Sequence, residues 1–97
     1  MAVLVLVEGR VKPEAMEDMM SLMEEILPDT RAHDGCQGVK VHTNLDTPND
    51  LALVEHWDSR AHYEKYLAWR AETGVLERIV SLLSDAPSIR YFEQHEV

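Results

Sequence analysis

Four stretches of the chain have the apolar patterning of β-strands. Residues 3–7 are apolar at every position, and residues 51–54 likewise carry apolar side chains at both odd and even positions. In residues 39–43 apolar and polar residues alternate, and a last strand is predicted over residues 88–95, after Pro87. The pattern therefore predicts four strands, of which the first and the third (residues 51–57) have two apolar faces.

A long amphipathic helix is predicted between the first two strands. Pro13 suits the first turn of a helix, and acidic residues are interspersed through the segment that follows. Apolar side chains recur there at helical spacing: Met16, Met19, Met20, Met23, Ile26 and Leu27. Pro28 removes a backbone hydrogen bond, so we predict a kink or a break at this residue and a further helical turn over residues 30–33.

Two shorter helices are predicted between the third and fourth strands. Asp58 or Ser59 has the side chain of an N-cap, and helices are expected over residues 61–69 and 72–83. The resulting order, βαββαβ with the second crossover helix divided, is the split βαβ pattern. The sequence thus predicts an α+β protein, a ferredoxin-like domain with an antiparallel sheet that spans residues 1–97.

The two strands with two apolar faces predict a partner. Helices of a ferredoxin-like fold cover one face of the sheet, and so short a chain has no further segment for the other face. A second copy of the chain would cover it most simply. We therefore expect a homodimer with a shared β-core, a dimeric α+β barrel.

Charge and cysteine content limit the partners and the location. The chain has 97 residues and a formal net charge of −9, which repels phosphate backbones and anionic lipid, so neither nucleic acid nor a membrane is expected as a partner. No membrane span or signal peptide is expected, and the single cysteine, Cys36, cannot form an internal disulfide. These features predict a cytoplasmic protein. No histidine has a partner at metal-ligand spacing, so we expect no metal.

Three strings of residues resemble the antibiotic biosynthesis monooxygenase family. They are Asp34-Gly35-Cys36, then residues 53–59 (Leu-Val-Glu-His-Trp-Asp-Ser) with Ala61, and residues 87–92 (Pro-Ser-Ile-Arg-Tyr-Phe). The resemblance spans nearly the whole chain. It implies a dimeric α+β barrel and a cofactor-independent oxidoreductase, a monooxygenase without metal or flavin that uses O₂ on a phenolic, hydroquinone or polycyclic aromatic substrate, as in antibiotic biosynthesis.

The resemblance and the residue types together suggest site residues. Trp57, Tyr63 and His42 match pocket positions of aromatic-polyketide members of the family. A histidine suits a general base, so His42 or His62 is the expected base, and Tyr63 or Tyr66 would donate to a developing oxyanion. Four further side chains are expected to contact a flat apolar ligand, namely the rings of Trp57 and Trp69 and the flexible side chains of Met20 and Met23.

Two departures from the family pattern keep other functions open. Leu53 stands where the aromatic-polyketide members have asparagine, and Tyr66 stands where many quinol-oxidising relatives have histidine. These departures favour a non-catalytic ligand-binding or interaction dimer as one alternative. An isomerase or cyclase that uses the pocket base without oxygen is another. The residue set of the haem-degrading branch cannot be placed on this chain.

Overall fold

The computed structural model describes residues 2–97 and consists of one sheet with helices packed against one of its faces. In chain order the elements are β1 (Val3–Arg10), a 3-10 turn (Pro13–Ala15), α1 (Met16–Ala32), β2 (Cys36–Thr43), β3 (Asp50–Trp57), α2 (Arg60–Glu72), α3 (Val75–Ser81) and β4 (Ser88–Glu93). The strands are antiparallel in the order β2-β3-β1-β4. This confirms the predicted ferredoxin-like α+β fold.

The register of the strands divides their side chains between two faces. Val5 pairs with Glu55 on one side and with Tyr91 on the other, and these residues share the face that the helices cover. The opposite face, which we call the open face, has an apolar strip formed by Leu4, Leu6, Ala52, Val54 and Phe92. The prediction that β1 and β3 have two apolar faces is therefore confirmed.

Helix α1 provides much of the core beneath the sheet. Its buried residues recur every three or four positions, and they pack with Val39, Leu51 and Leu53 of the central and edge strands. Of the kink or break predicted at Pro28, the break is wrong, because α1 continues without interruption through the predicted further turn to Ala32. Pro28 has no N–H to donate to the carbonyl of Glu24, one turn earlier. Both residues are exposed, so water can solvate that carbonyl.

The other element boundaries differ by a few residues from those predicted. Strand β1 extends to Arg10 because its last residues still pair with β3. The second and third helices are separated at Gly74, whose φ of 83° lies in the left-handed region, so α3 begins at Val75 rather than near residue 72. Strand β4 ends at Glu93, two residues before the predicted end.

Candidate active site

A small cavity lies between the helices and the covered face of the sheet. Its volume is about 60 Å³, and its walls are aliphatic side chains from the sheet, from α1 and from α3, among them Leu53, Met23 and Ile79. Five polar residues also line it: Glu8, Glu55, Tyr63, Tyr66 and Arg70. An apolar space with a few polar groups is the usual form of a small-molecule site. Drug-sized ligands occupy roughly 300–1,000 Å³, so even a single aromatic ring requires the walls to move.

Helix α3 is the most exposed of the three helices. None of its seven residues is buried, although Leu76 and Ile79 reach the cavity. It follows α2 through the left-handed Gly74. Its residues Val75 and Ile79 pack against the core from outside.

Glu55 brings an acidic group into the cavity. The alternation of β3 places it between Leu53 and Trp57 on the helix-covered face, where its exposed fraction is 3%. The Trp57 indole Nε1–H donates a hydrogen bond of 2.9 Å to Glu55 Oε1. Burial raises the pKa of the carboxyl from 4.5 to about 7, against the smaller lowering effect of that hydrogen bond. Near neutral pH, Glu55 can therefore both accept and return a proton.

Tyr63 places a phenol in the same cavity. Ser59 caps α2 by accepting a hydrogen bond from the His62 backbone N–H, and this fixes the start of the helix one turn before Tyr63. Tyr63 is 3% exposed, and within residues 2–97 its hydroxyl makes no hydrogen bond. Burial, together with the nearby Glu55 carboxylate, raises the pKa of this phenol, so its hydroxyl stays protonated and can donate to a ligand.

Tyr66 belongs to a hydrogen-bond network that links α1 to α2. Its hydroxyl lies 2.6 Å from Thr30 Oγ1 and accepts a hydrogen bond of 3.0 Å from Arg70 Nε. Arg70 Nη2 donates to the Ile26 carbonyl at 2.7 Å and to Thr30 Oγ1 at 3.0 Å. Since Thr30 donates its own proton to the Ile26 carbonyl, the Tyr66 O–H points to Thr30. The Tyr66 hydroxyl therefore donates its proton within the protein, whereas the Tyr63 hydroxyl is free to donate to a ligand.

Aromatic rings pack around this network. Trp57 is fully buried, and its ring lies 5.5 Å from Tyr63 and 5.0 Å from Tyr66 between centroids. Trp69 is half-buried and stacks at a tilt 5.4 Å from the His33 ring. Neither tryptophan lines the cavity, whereas Tyr63 and Tyr66 do. Trp57 therefore acts on the cavity only indirectly, through its hydrogen bond to Glu55.

The structure separates the two histidines proposed as the base from this cavity. His42 is exposed on the open face, since its β3 partner is Ala52. The His62 ring accompanies the cap of α2: its Nδ1 lies 2.6 Å from Ser59 Oγ, and a Cβ at Gly35 would come within 2.5 Å of it. Neither histidine lines the cavity.

The two methionines proposed as ligand contacts differ in position. Met23 is buried and lines the cavity, whereas Met20 is half-buried and packs against the core beside it. Within residues 2–97 no group of three or more His, Cys, Asp or Glu side chains is placed to hold a metal ion. No helix in the same range is long and apolar enough to cross a membrane.

Sequence reasoning missed Glu55, Arg70 and Thr30. A signal for Glu55 was present, because it occupies an odd position between Leu53 and Trp57 and so must share their face. Arg70 follows Tyr63 and Tyr66 by seven and four residues, a helical spacing that places it on the same side of α2. Thr30 carries no comparable signal, since its burial depends on how α1 meets α2.

Comparison with known proteins identifies the family. The family model described as antibiotic biosynthesis monooxygenase matches residues 2–82. A Mycobacterium tuberculosis protein named "Putative monooxygenase Rv0793" is 30% identical over an alignment 83 residues long, which covers 78% of this chain and 81% of that protein.

Solved structures agree in fold. That of Rv0793 superposes with a TM-score of 0.81 at 21% identity and covers 100% of this chain and 98% of its own. A conserved protein from Methanosarcina mazei Go1 gives a TM-score of 0.88 at 20% identity, with 97% and 93% covered. A structure described as antibiotic biosynthesis monooxygenase gives 0.86 at 19% identity, with 97% and 99% covered.

The structure is that of a ferredoxin-like α+β protein with a helix-covered cavity. The chain belongs to the antibiotic biosynthesis monooxygenase family, as its motifs suggested. Family membership and the monooxygenase-named relative support a monooxygenase-like function.

Proposed function

We propose that this protein is a cofactor-independent monooxygenase that oxidises a phenolic, hydroquinone or polycyclic aromatic substrate with O₂, and that Glu55 is its base. The observation that carries the proposal is the buried Glu55 carboxyl, with a pKa raised to about 7, in an apolar cavity beside the free Tyr63 hydroxyl. A base with a pKa near the working pH is the most effective proton acceptor. The small volume of the cavity favours a substrate of one ring over a polycyclic one.

The reaction can be written for a substrate with an activated CH₂ group next to a phenolic ring. Glu55 removes one proton, and the resulting carbanion transfers an electron to O₂ and combines with the superoxide formed. Protonation by Glu55 gives a hydroperoxide. Breakage of the second C–H bond and of the O–O bond leaves a carbonyl and water, so R₂CH₂ and O₂ become R₂C=O and H₂O. The substrate supplies all four electrons.

Each side chain has a separate task in this scheme. The Tyr63 hydroxyl donates to the phenolate or enolate oxygen over which the carbanion charge is delocalised. The aliphatic walls exclude water, which would otherwise protonate the carbanion. Trp57 holds the Glu55 carboxyl in place through Oε1, so that Oε2 is the atom available to the substrate.

Oxygen uptake tests the proposal. The panel contains anthrones, which have the activated CH₂ group, and single-ring hydroquinones, which with one O₂ would give a hydroxyquinone and water (C₆H₆O₂ + O₂ → C₆H₄O₃ + H₂O). Each is incubated with the wild type, with Glu55→Gln and with Glu24→Gln, which makes the same chemical change at an exposed position of α1. We expect uptake whose kcat/KM rises with pH through about 7, and a loss of about 100-fold or more in Glu55→Gln alone. If His42→Ala abolished O₂ uptake and Glu55→Gln did not, the assignment of Glu55 as the base would be contradicted.

An isomerase or cyclase is the second candidate, since a buried carboxyl with a pKa near 7 would also move a proton within a substrate without oxygen. Incubation under argon distinguishes the two reactions. Product formed under argon at the aerobic rate would favour the isomerase. Binding of panel members without any product would favour a non-catalytic binding protein.

We also propose that the protein works as a homodimer joined through the open face. The apolar strip of this face lies beside the ion pair of Glu8 and Arg90, 2.7 Å apart, so the face carries both signs of charge and is compatible with its own copy. A Leu6→Asp substitution would place a charge in the middle of the strip. Sedimentation at micromolar concentration should give a dimer for the wild type and a monomer for the variant, whereas a monomeric wild type would refute the proposal.

A further inference from the structure

Arg70 is a buried cation without an anionic partner. Its exposed fraction is 5%, and within residues 2–97 no carboxylate lies within 4.0 Å of its guanidinium. Its hydrogen bonds all go to neutral acceptors: the Tyr66 hydroxyl, the Thr30 hydroxyl and the Ile26 carbonyl. Guanidinium is a permanent cation, and a buried charge without a counter-charge is costly. A negatively charged ligand would supply the missing charge.

One end of the guanidinium remains available. Nε and Nη2 make the three hydrogen bonds to the network, while Nη1 makes none within the described part of the chain. No fully buried side-chain nitrogen or oxygen among those residues lacks a partner, so Nη1 keeps some open surface. Arg70 lines the cavity, and binding of a ligand there to Nη1 requires that this open surface faces it.

The network also fixes the direction of the guanidinium. Its centre lies 4.5 Å from the Trp69 ring centroid and 5.3 Å from that of Tyr66, so aromatic rings support it from two sides. With Nε and Nη2 held by α1 and α2, rotation of the head group would break three hydrogen bonds. Nη1 therefore presents its N–H groups in one fixed direction, which favours an anion bound in one orientation over a mobile counter-ion.

We propose that Arg70 makes the cavity a carboxylate-binding site, and that the substrate of the proposed oxygenase is a single-ring aromatic carboxylic acid. The free donors are the two N–H groups of Nη1, because the Tyr63 hydroxyl already donates to the phenolate or enolate oxygen. A carboxylate supplies the missing negative charge and accepts hydrogen bonds from such donors. The aliphatic walls accommodate the ring once they have moved apart, and Glu55 meets the reacting carbon or hydroxyl. This inference rests on the function proposed above for the same cavity.

Ligand binding tests the inference separately from catalysis. Benzoate and benzamide have the same ring and nearly the same shape, but only benzoate is charged, and neither is an oxygenase substrate of the kind written above. Calorimetric titration of each into the wild type should give at least tenfold tighter binding of benzoate. Equal binding of the two, or binding of neither, would overturn the proposal.

Variants assign the discrimination to Arg70. Arg70→Met keeps the length of the side chain and removes the charge, and the benzoate preference should fall to twofold or less. Arg78→Met is the matched control, because Arg78 is exposed and paired with Glu25 on the surface, and it should keep the full preference. If Arg70→Met does not fold, Arg70→Lys is used instead. It keeps the positive charge without the guanidinium group, and its affinity for benzoate should be at least threefold lower. An unchanged preference in a folded Arg70 variant would refute the assignment.

The two proposals can fail independently. Benzoate preference without O₂ uptake from any hydroxybenzoate or carboxylated hydroquinone would retain the carboxylate site and refute the oxygenase. Uptake from neutral hydroquinones without benzoate preference would retain the oxygenase and refute the carboxylate site.

Discussion

The buried Glu55 carboxyl should make the stability of the protein depend on pH. Its pKa is raised from the ordinary 4.5 to about 7 in the folded protein, because burial disfavours the charged form. A rise of this size corresponds to about 3 kcal/mol of folding free energy. The stabilising contribution of the protonated carboxyl is fully present below pH 4.5 and is lost as the pH rises through about 7.

The substitution Glu55→Gln isolates this contribution from the rest of the chain. Eighteen acidic residues give the protein other pH dependences, but these cancel in the difference between the wild type and a single variant. Glutamine retains an oxygen that can accept the Trp57 hydrogen bond, and it does not ionise. We therefore expect Glu55→Gln to gain about 3 kcal/mol relative to the wild type between pH 4 and pH 8.5.

Urea denaturation at a series of pH values measures the difference. Protein concentration is held constant, because the stability of an associating protein depends on it. Glu24→Gln, the exposed counterpart, should show a constant difference from the wild type across the same range. Parallel stability curves for the wild type and Glu55→Gln would mean that Glu55 titrates normally, and the argument for it as a base near neutral pH would fail.

Two further substitutions test the scaffold of the site. Gly35→Ala should lower the free energy of unfolding by about 2 kcal/mol or more, because φ is +85° and the added Cβ would meet the ring of His62. Gly74→Ala, at φ +83° but with open space around the added Cβ, should lower it by about 1 kcal/mol. Equal losses of stability in thermal unfolding would refute the contact with His62. Thr30→Val removes the oxygen that serves both Tyr66 and Arg70, and should cost about 1–3 kcal/mol in urea denaturation, whereas the exposed Thr43→Val should be nearly neutral. A neutral Thr30→Val would show that the network is not needed for stability.

The topology could be predicted because its signals are local. Strand alternation and the helical recurrence of apolar residues are read within single segments, and together they give the βαββαβ order. Whether the helix breaks at Pro28 is not a local signal, because it depends on whether the carbonyl of Glu24 faces water or the core. Strand ends likewise depend on pairing, as the extension of β1 along β3 illustrates.

The candidate site could be predicted only in part. Tyr63, Tyr66 and Met23, which the sequence suggests as site residues, all line the cavity, and the helical period on α1 and on α2 explains why they face the sheet. His42 is suggested by the family resemblance and by its chemistry, but it alternates with Val39 and Val41 and so faces the other side of β2. Glu55 and Arg70 were overlooked because charged residues are normally exposed, and their burial is decided by the packing of α2 against α1 and the sheet.

The fate of the oxygen atoms tests the central claim most directly. The wild type and Glu55→Gln are supplied with ¹⁸O₂ and a substrate that supports O₂ uptake, and the mass of the product is measured by mass spectrometry. The account predicts one ¹⁸O atom in each product molecule and the second in water, with formation of labelled product about 100-fold or more slower in Glu55→Gln. Unlabelled product, or labelled product formed at the same rate by both proteins, would contradict it.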